Sequence, residues 1–563
     1  MTSTTTPVEG PHRGRRRSLL VGVAVAVAAV VGSLAAAGTG SGQAARTPVG
    51  RAGGLTPSIE LLPLSTSSDR RIVDSAGRQV LLRGANVNSL GEYWQGDPTE
   101  APTVAVTGTD WDAMAAHGFS VVRLLITWSR IEPVRGQIDQ GYLDQVDAAV
   151  RAAAAHGIYS VIDMHQDAFS AHTATPLPVD CPPGTGPAKG WDGAPAWAVI
   201  TDGLSTCTPG ERNAAPAVRA AWNHFWDDTD GIRTRFAASW GAVAARFAGR
   251  PEVAGYDLLN EPEASRPAAE LTPIYEAFLL QVIRSIRAAE AGAPFEHLVF
   301  VEPALPAGNL AYGLVIPDPN RAGVDRRNIV ASVHNYAESI QQGITIEGLN
   351  DVIESITAGM GLPQWGGEYG FWDTSPATLA KVARYAADED RRRWGGAWWQ
   401  WRQACGDPHS VGWDGSGWAA PHGAVVHLNT LSCPGDTVGV PTEPFLRVLG
   451  RAYPRATPGT LDHLVSDPTT GQLSVEATAT AAGGELVVWA PTADDAEHRV
   501  TTSGLVGVSQ RAVPGGRIIT ATVAAPGPYS LRIGGDPLPS TTTTVPVPTT
   551  APGGGGLSGS RSG

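Results

Sequence analysis

Lysine is nearly missing from this chain. Of 41 basic residues only Lys189 and Lys381 are lysines. Chemistry through a lysine Schiff base would have to use one of them. Neither ends a predicted strand, since Lys189 falls in a loop and Lys381 on a helix. Charge of either sign is sparse, at 17% of residues, and the net balance is −13. Without a broad basic surface to meet phosphates, a nucleic-acid partner is excluded. Cysteine is confined to Cys181, Cys207, Cys405 and Cys433, with no CxxC or Cys/His spacing, so no structural zinc site is expected. What the chain does have is apolar residues, 42% of 563, enough for a large core. That length allows roughly three or four domains, or one large barrel with additions.

The N-terminus reads "RGRRRSLLVGVAVAVAAVVGSLAAAG", a basic stretch, an apolar run and then small residues. This is the layout of a secretory signal peptide, expected over residues 1–45, with cleavage after Ala37 or near Ala44. The alternative is an uncleaved membrane anchor, because the run is just long enough to span a bilayer. Either way the body of the protein is expected outside the membrane, secreted or anchored. Four cysteines in an exported chain suggest two disulfides. The pairs Cys181–Cys207 and Cys405–Cys433 are favoured because each closes a local, loop-like segment.

Residues 46–57 are rich in Gly, Pro and Ala and read as a disordered linker. Residues 537–563 read as a low-complexity tail; its "LPSTT" lacks the context of a wall-sorting signal. Between these ends, short apolar strands alternate with longer helical patterns. The strands are "VLLRGANV", "FSVVRLLI", "IYSVIDM", "VAGYDLLN", "HLVFVE", "NIVASVHNY", "LPQWGGEY" and "GGAWWQW". The segments "DQGYLDQVDAAVRAAAAHG", "GIRTRFAASWGAVAARFAG" and "IYEAFLLQVIRSIRAAEAG" carry a period near 3.6. Strand–helix units of this kind predict a (β/α)₈ barrel over residues 58–455, with the hairpin-like "RRIVDSAGRQVLLRG" closing its bottom. Two connections are too long to be simple loops, from about Ala168 to Asp228 and from Arg402 to about Thr442. Each holds two of the cysteines, and each leaves the C-terminal end of a strand, where a barrel of this kind carries its site. From residue 456 to 536 the pattern turns to alternating strands, predicting a small antiparallel β-sandwich.

The strand ends in order offer Arg123, His165 with Asp167, Asn260 with Glu261, Glu302, His334 with Tyr336, Glu368, and Trp399. Glu261 ends the fourth strand and Glu368 the seventh, so both can face a substrate across the barrel mouth. Hydrolysis of a glycosidic bond with retention needs such a pair, one protonated to assist the leaving oxygen and one ionised to attack. Arg123 and the Tyr336 hydroxyl are placed to hold Glu368 ionised. Asn260 can bond the sugar 2-hydroxyl, and Trp399 offers a flat apolar face to a sugar ring. Glu302 reads as a supporting or rim group. Asp163 and Asp257, inside strands, read as buried hydrogen-bonding residues. Asp167 suits sugar binding or loop capping equally. The tryptophans of "WDGAPAW" and "VGWDGSGW" stand on the two long connections, where packing and contact with sugar or lipid are both open. His165 and His334 could be metal ligands, but the first strand lacks the HxH of metal-dependent barrel hydrolases. No metal and no cofactor is therefore expected.

The motifs "VVRLL", "DMHQD", "DLLNEP", "HNY", "GGEYG" and "WWQW" together resemble glycoside hydrolase family 5, the cellulase-like clan of retaining barrel enzymes. The resemblance spans roughly Leu62 to Tyr453. It implies that Glu261 is the acid/base and Glu368 the nucleophile. It also implies that Arg123, His165, Asn260, His334, Tyr336 and Trp399 support them. Within that family, "DMHQDAFS" and the appended sandwich look most like endoglycoceramidases, which release intact glycans from glycosphingolipids. The substrate expected is thus a glycan or glycolipid, met by a monomer in transient contact with a membrane surface. A polysaccharide endohydrolase acting on β-glucan or β-mannan, and a carbohydrate-binding protein without catalysis, are the competing readings.

Overall fold

The computed structural model describes residues 59–93, 99–176, 178–306, 310–371, 373–410, 428–432, 435–493 and 496–535. The expected leader, linker and tail, Cys433, and the tryptophans of "VGWDGSGW" lie outside them. Among the described residues no helix is long and apolar enough to cross a membrane.

Three short strands open the fold: β1 (Leu64–Thr66), β2 (Ile72–Asp74) and β3 (Arg78–Val80). Eight parallel strands follow: β4 (Gly84–Val87), β5 (Val121–Thr127), β6 (Tyr159–His165), β7 (Val253–Asp257), β8 (Leu298–Val301), β9 (Ile329–His334), β10 (Gln364–Tyr369) and β11 (Gly396–Trp398). They close into one barrel in the order β10-β11-β4-β5-β6-β7-β8-β9, one strand from each predicted segment. Their near-continuous apolar runs suit strands covered on both faces; β5, for example, is buried along its whole length. Closure needs bare backbone in places. A Cβ on Gly84 would lie 1.8 Å from the Val121 carbonyl oxygen.

The predicted helices form over Gln140–Ala155, Ile232–Phe247 and Ala268–Ala289. The first is capped by Asp139, whose carboxylate accepts from the Tyr142 amide at 3.0 Å. Aromatic side chains on the outer helices reach inward to the ends of the barrel strands. The Trp240 indole donates to the Leu258 carbonyl and the Tyr275 hydroxyl to the Glu302 carbonyl. An indole or phenol serves here because it is apolar along its body and polar at its tip.

After the barrel come a short pair, β12 (Asn429–Ser432) and β13 (Thr437–Pro441), and then β14 (Tyr453–Pro458), β15 (Thr460–Asp467), β16 (Gln472–Ala479), β17 (Glu485–Pro491), β18 (Val500–Ser503), β19 (Leu505–Val513), β20 (Gly516–Val523) and β21 (Gly527–Ile533). The last eight make two antiparallel sheets, and one of these departs from the expected division of the chain. It runs β1-β2-β3-β14-β17-β20-β19, so the N-terminal hairpin is part of the sandwich. Val80 pairs with Ala456 and Gln79 with Thr457. The expected boundary at 455/456 therefore falls inside β14. The hairpin also closes the barrel bottom as expected. Leu64, Ile72, Val80 and Leu82 pack with Val121, Leu298 and Trp365. Further ties come from β14 and β17, where the Tyr453 hydroxyl donates to the Gly118 carbonyl and the Trp489 indole to that of Gly450.

This arrangement makes a separable barrel unworkable. A chain ending at Gly450 leaves β3 with an open edge and the barrel floor partly uncovered. It is expected to aggregate, which size-exclusion chromatography of the truncated protein would show.

Candidate active site

Arg123 is the one charged residue in β5, and its guanidinium is fully buried. Nε donates to Asp257 Oδ2 at 3.0 Å. Nη1 donates to Glu368 Oε1 at 2.8 Å and Asn86 Oδ1 at 3.2 Å. Nη2 donates to Glu302 Oε1 at 2.9 Å and Asn260 Oδ1 at 3.0 Å, and pairs with Asp163 Oδ1 at 2.8 Å. One planar cation thus fixes side chains from β4, β6 and β10, from β7 and the segment after it, and from the residue that follows β8. The rigid five-donor fork of arginine is what allows this.

Glu261 follows β7 in a left-handed backbone conformation, φ +35°. Such a position costs of order ~1–3 kcal/mol for a non-glycine residue and persists only where neighbours enforce it. Two neighbours do. The Glu261 amide donates to Glu302 Oε2 at 2.9 Å, and Gln166 Nε2 donates to the Asn260 and Glu261 carbonyls. Gln166 sits in "DMHQD" between two predicted site residues and went unread; its place in that motif was the available signal. Glu302 is no rim group. It is buried, and it couples Arg123, the Glu261 backbone and His334.

His334, at the end of β9, lies among three carboxylates. Its Nδ1 is 2.9 Å from Glu261 Oε1 and 3.4 Å from Glu368 Oε2, and its Nε2 is 3.2 Å from Glu302 Oε1. Burial alone would lower its pKa, but Glu302, Glu368 and the hydrogen bond to Glu261 raise it well above the ordinary value. The ring is therefore an imidazolium at neutral pH. Gly367 makes room for it, since a Cβ there would meet Ser332 Oγ at 2.4 Å and His334 Nε2 at 3.0 Å.

Glu368 accepts from Tyr336 Oη at 3.0 Å as well as from Arg123. Both expected contacts are present. Burial, reinforced by the charges of Glu261 and Glu302, pushes its carboxyl above the usual range against the pull of His334 and Arg123. Arg123 is too widely shared to prevent this. Glu261 moves the other way. Burial would raise it, but the hydrogen bond and charge of His334 and the charge of Arg212 hold it below the usual range.

His165, at the end of β6, is buried and pushed down to about 3 by that burial, so its ring is neutral. Nδ1 lies 2.7 Å from Asp163 Oδ2. With the Nδ1 proton donated there, Nε2 remains an acceptor. It has no hydrogen-bond partner among the described residues. Burial, opposed by Arg123, raises Asp163 itself to about 8. Trp399 stacks on His165, centroids 5.3 Å apart and planes 13° from parallel, so one face of the indole is already used. Asn260 is oriented from both sides, its Nδ2 donating to the Gln166 carbonyl at 3.1 Å.

Asp167 is met by a residue that strand-end reading could not find. Arg212, on the long connection after β6, places Nη2 2.5 Å from Asp167 Oδ1 and 3.1 Å from Glu261 Oε2. Its guanidinium lies over Trp191 of "WDGAPAW", 4.9 Å from the ring centroid. The other tryptophan of that segment, Trp197, packs instead on Trp128, away from the carboxylates. The connection is tied by the expected Cys181–Cys207 disulfide. Cys405 is also disulfide-bonded, while its expected partner Cys433 lies outside the described residues.

Among the described residues, three groups bring acidic or imidazole atoms close together: His165, Asp167 and Asp192; Glu261, His334 and Glu368; Asp163, Asp257 and Glu302. Each already contains or touches a cation of the chain itself, respectively Arg212, His334 and Arg123.

A family model described as cellulase (glycosyl hydrolase family 5) matches residues 73–405. The chain is 26% identical over 508 residues to endoglycoceramidase I of Rhodococcus hoagii, across 84% of this chain and 88% of that one. It superimposes on the crystal structure of an endogalactoceramidase with TM-score 0.76 and 36% identity, across 84% of this chain and 100% of that one. The lactosyl-enzyme intermediate of endo-glycoceramidase II from Rhodococcus sp. shares the fold, with TM-score 0.58 and 24% identity, across 82% of this chain and 99% of that one.

Proposed function

The chain belongs to the cellulase family of glycosyl hydrolases, family 5, and from that premise we propose that it cuts glycosphingolipids between glycan and ceramide with retention of configuration. The observation that carries the retaining mechanism is the spacing of its two carboxylates. Glu261 Oε1 and Glu368 Oε2 meet the same His334 Nδ1, at 2.9 and 3.4 Å, so the two carboxyls stand side by side. Retaining pairs stand roughly 5–5.5 Å apart, whereas inverting pairs need about 6.5–9.5 Å to admit a water. Glu368, on β10, attacks the anomeric carbon. Glu261 protonates the departing ceramide oxygen and then takes a proton from the water that releases the sugar. Asn260 is oriented to bond the sugar 2-hydroxyl, and the free acceptor of His165 faces another hydroxyl.

The likeness to endoglycoceramidases supports a glycolipid substrate. The endogalactoceramidase, at 36% identity, makes a galactose joined to ceramide the first choice. The rim agrees with a lipid partner. Val134, Val179, Leu204, Leu314 and Ile340 are exposed apolar side chains on connections that leave the C-terminal ends of β5, β6, β8 and β9. Apolar groups around a polar pocket suit transient contact with a membrane while the head group enters. Export is supported by the basic–apolar–small N-terminus and by the Cys181–Cys207 disulfide.

The test is incubation with galactosyl- and lactosylceramide beside carboxymethyl cellulose and mannan, with products read by mass spectrometry. Free glycan with intact ceramide, and galactosylceramide preferred, is the expected result. Cleavage of the polysaccharides alone would overturn the glycolipid reading.

A further inference from the structure

Resting on Glu261 as the acid/base, we infer that Arg212 is a positioning residue that holds this carboxylate and must release it when substrate binds. Glu261 has two carboxylate oxygens, and both are taken. Oε1 faces His334 Nδ1 at 2.9 Å, and Oε2 accepts from Arg212 Nη2 at 3.1 Å. An acid must present an O–H to the departing oxygen, so one of these contacts has to open. His334 cannot yield readily, since it is clamped between Glu261, Glu302 and Glu368. Arg212 can. It belongs to a connection rather than a barrel strand, and its side chain is 27% exposed. It also has somewhere to stay. Its closer contact is Asp167 Oδ1 at 2.5 Å, and Trp191 lies beneath its guanidinium. A small sideways shift on those two anchors breaks the Glu261 contact alone.

The consequence concerns the proton. Attack requires it on Glu261, with Glu368 charged. The groups facing Glu261 are Arg212 and Glu211 from the connection, His165 from β6, Glu302 from the end of β8, His334 from β9 and Glu368 from β10. Of the cations among them, Arg212 is the one that an arriving leaving-group oxygen competes with directly. Its withdrawal removes a positive charge from Glu261 and raises that carboxyl's affinity for a proton. Substrate binding thereby sets the acid and the nucleophile into their working states.

The pH dependence of kcat/KM reports the free enzyme and that of kcat the complex. A water-soluble short-acyl glycosylceramide that the wild type cleaves is the probe. In wild type the acidic limb of kcat/KM reports Glu261, held low in the free enzyme by His334 and Arg212. In Arg212→Gln this limb should move up by about one to three units, the range an adjacent opposite charge sets. The limbs of kcat should move less, because the Arg212 contact has already opened in the complex. Arg212→Lys should reverse part of the shift, which a purely structural role would not produce. Unchanged limbs in Arg212→Gln, with Glu261→Ala severely impaired, would overturn this inference and leave the acid/base assignment standing. Full activity in Glu261→Ala would instead overturn the assignment on which it rests.

Discussion

Glu368→Gln is expected to abolish turnover while leaving the fold in place, a loss on the order of 10⁴-fold or more. The amide is nearly isosteric. Its oxygen can still accept from Arg123 Nη1, and its NH₂ can face Tyr336 Oη, so both contacts of Glu368 have counterparts. What disappears is the nucleophile. Thermal denaturation and turnover of the same preparation separate the two effects, and an active variant removes Glu368 from the attack.

Glu261→Ala supplies the complement and tells the two roles apart. On a glycolipid, whose alkoxide leaves poorly without a proton, the rate should fall by about 10²–10⁴-fold. On a dinitrophenyl glycoside, whose leaving group needs no proton, the first step should survive. The glycosyl-enzyme should then accumulate on Glu368 and be visible as a mass increase. Azide can occupy the space vacated by the carboxylate and release the sugar as a β-glycosyl azide. An α-azide from this variant would exchange the two assignments.

The barrel was legible because its strands are buried on both faces and read as short apolar runs. The site was legible because polar residues end those runs: Asn-Glu after β7, Gly-Glu-Tyr on β10, His-Gln-Asp at the end of β6. The sandwich showed as alternation. Contacts made at long range were not legible. Nothing local in "RRIVDSAGRQV" says that β3 will pair with β14, because a strand edge accepts any partner that the rest of the fold delivers. Arg212 shows no motif, since its place depends on how a long, disulfide-tied connection folds back over Trp191. For Glu302 the sequence allows a supporting or a rim place, because a strand-end glutamate can point inward or outward, and only packing decides. The upward push on the Glu368 carboxyl was out of reach for the same reason. Arg123 was expected to stabilise the charged nucleophile, but a count of its partners was needed to show how thinly its charge is spread.

That spread makes Arg123→Met the substitution with the largest expected effect on stability. Asp163, Asp257, Glu302 and Glu368 all lie against the guanidinium, which is itself fully buried. Removing one partner of a buried ion pair costs roughly 3–5 kcal/mol, because the charge left behind has neither water nor partner. Here several carboxyls lose their cation together. Some relief comes from protonation, since Asp163 and Asp257 are already pushed up mainly by burial. A loss of that size is still a large share of the ~5–15 kcal/mol that keeps a domain folded. The variant should accumulate poorly, or melt far below the wild type in calorimetry. Arg123→Lys should rescue little, because an ammonium has three donors and no planar fork to serve acceptors on five segments of the barrel. Adding Asp257→Asn to Arg123→Met removes one stranded charge and should recover part of the loss. A melting temperature for Arg123→Met within a few degrees of wild type would show that the carboxyls around it are neutral in the folded protein, and that the cation orients them without being needed to hold their charge.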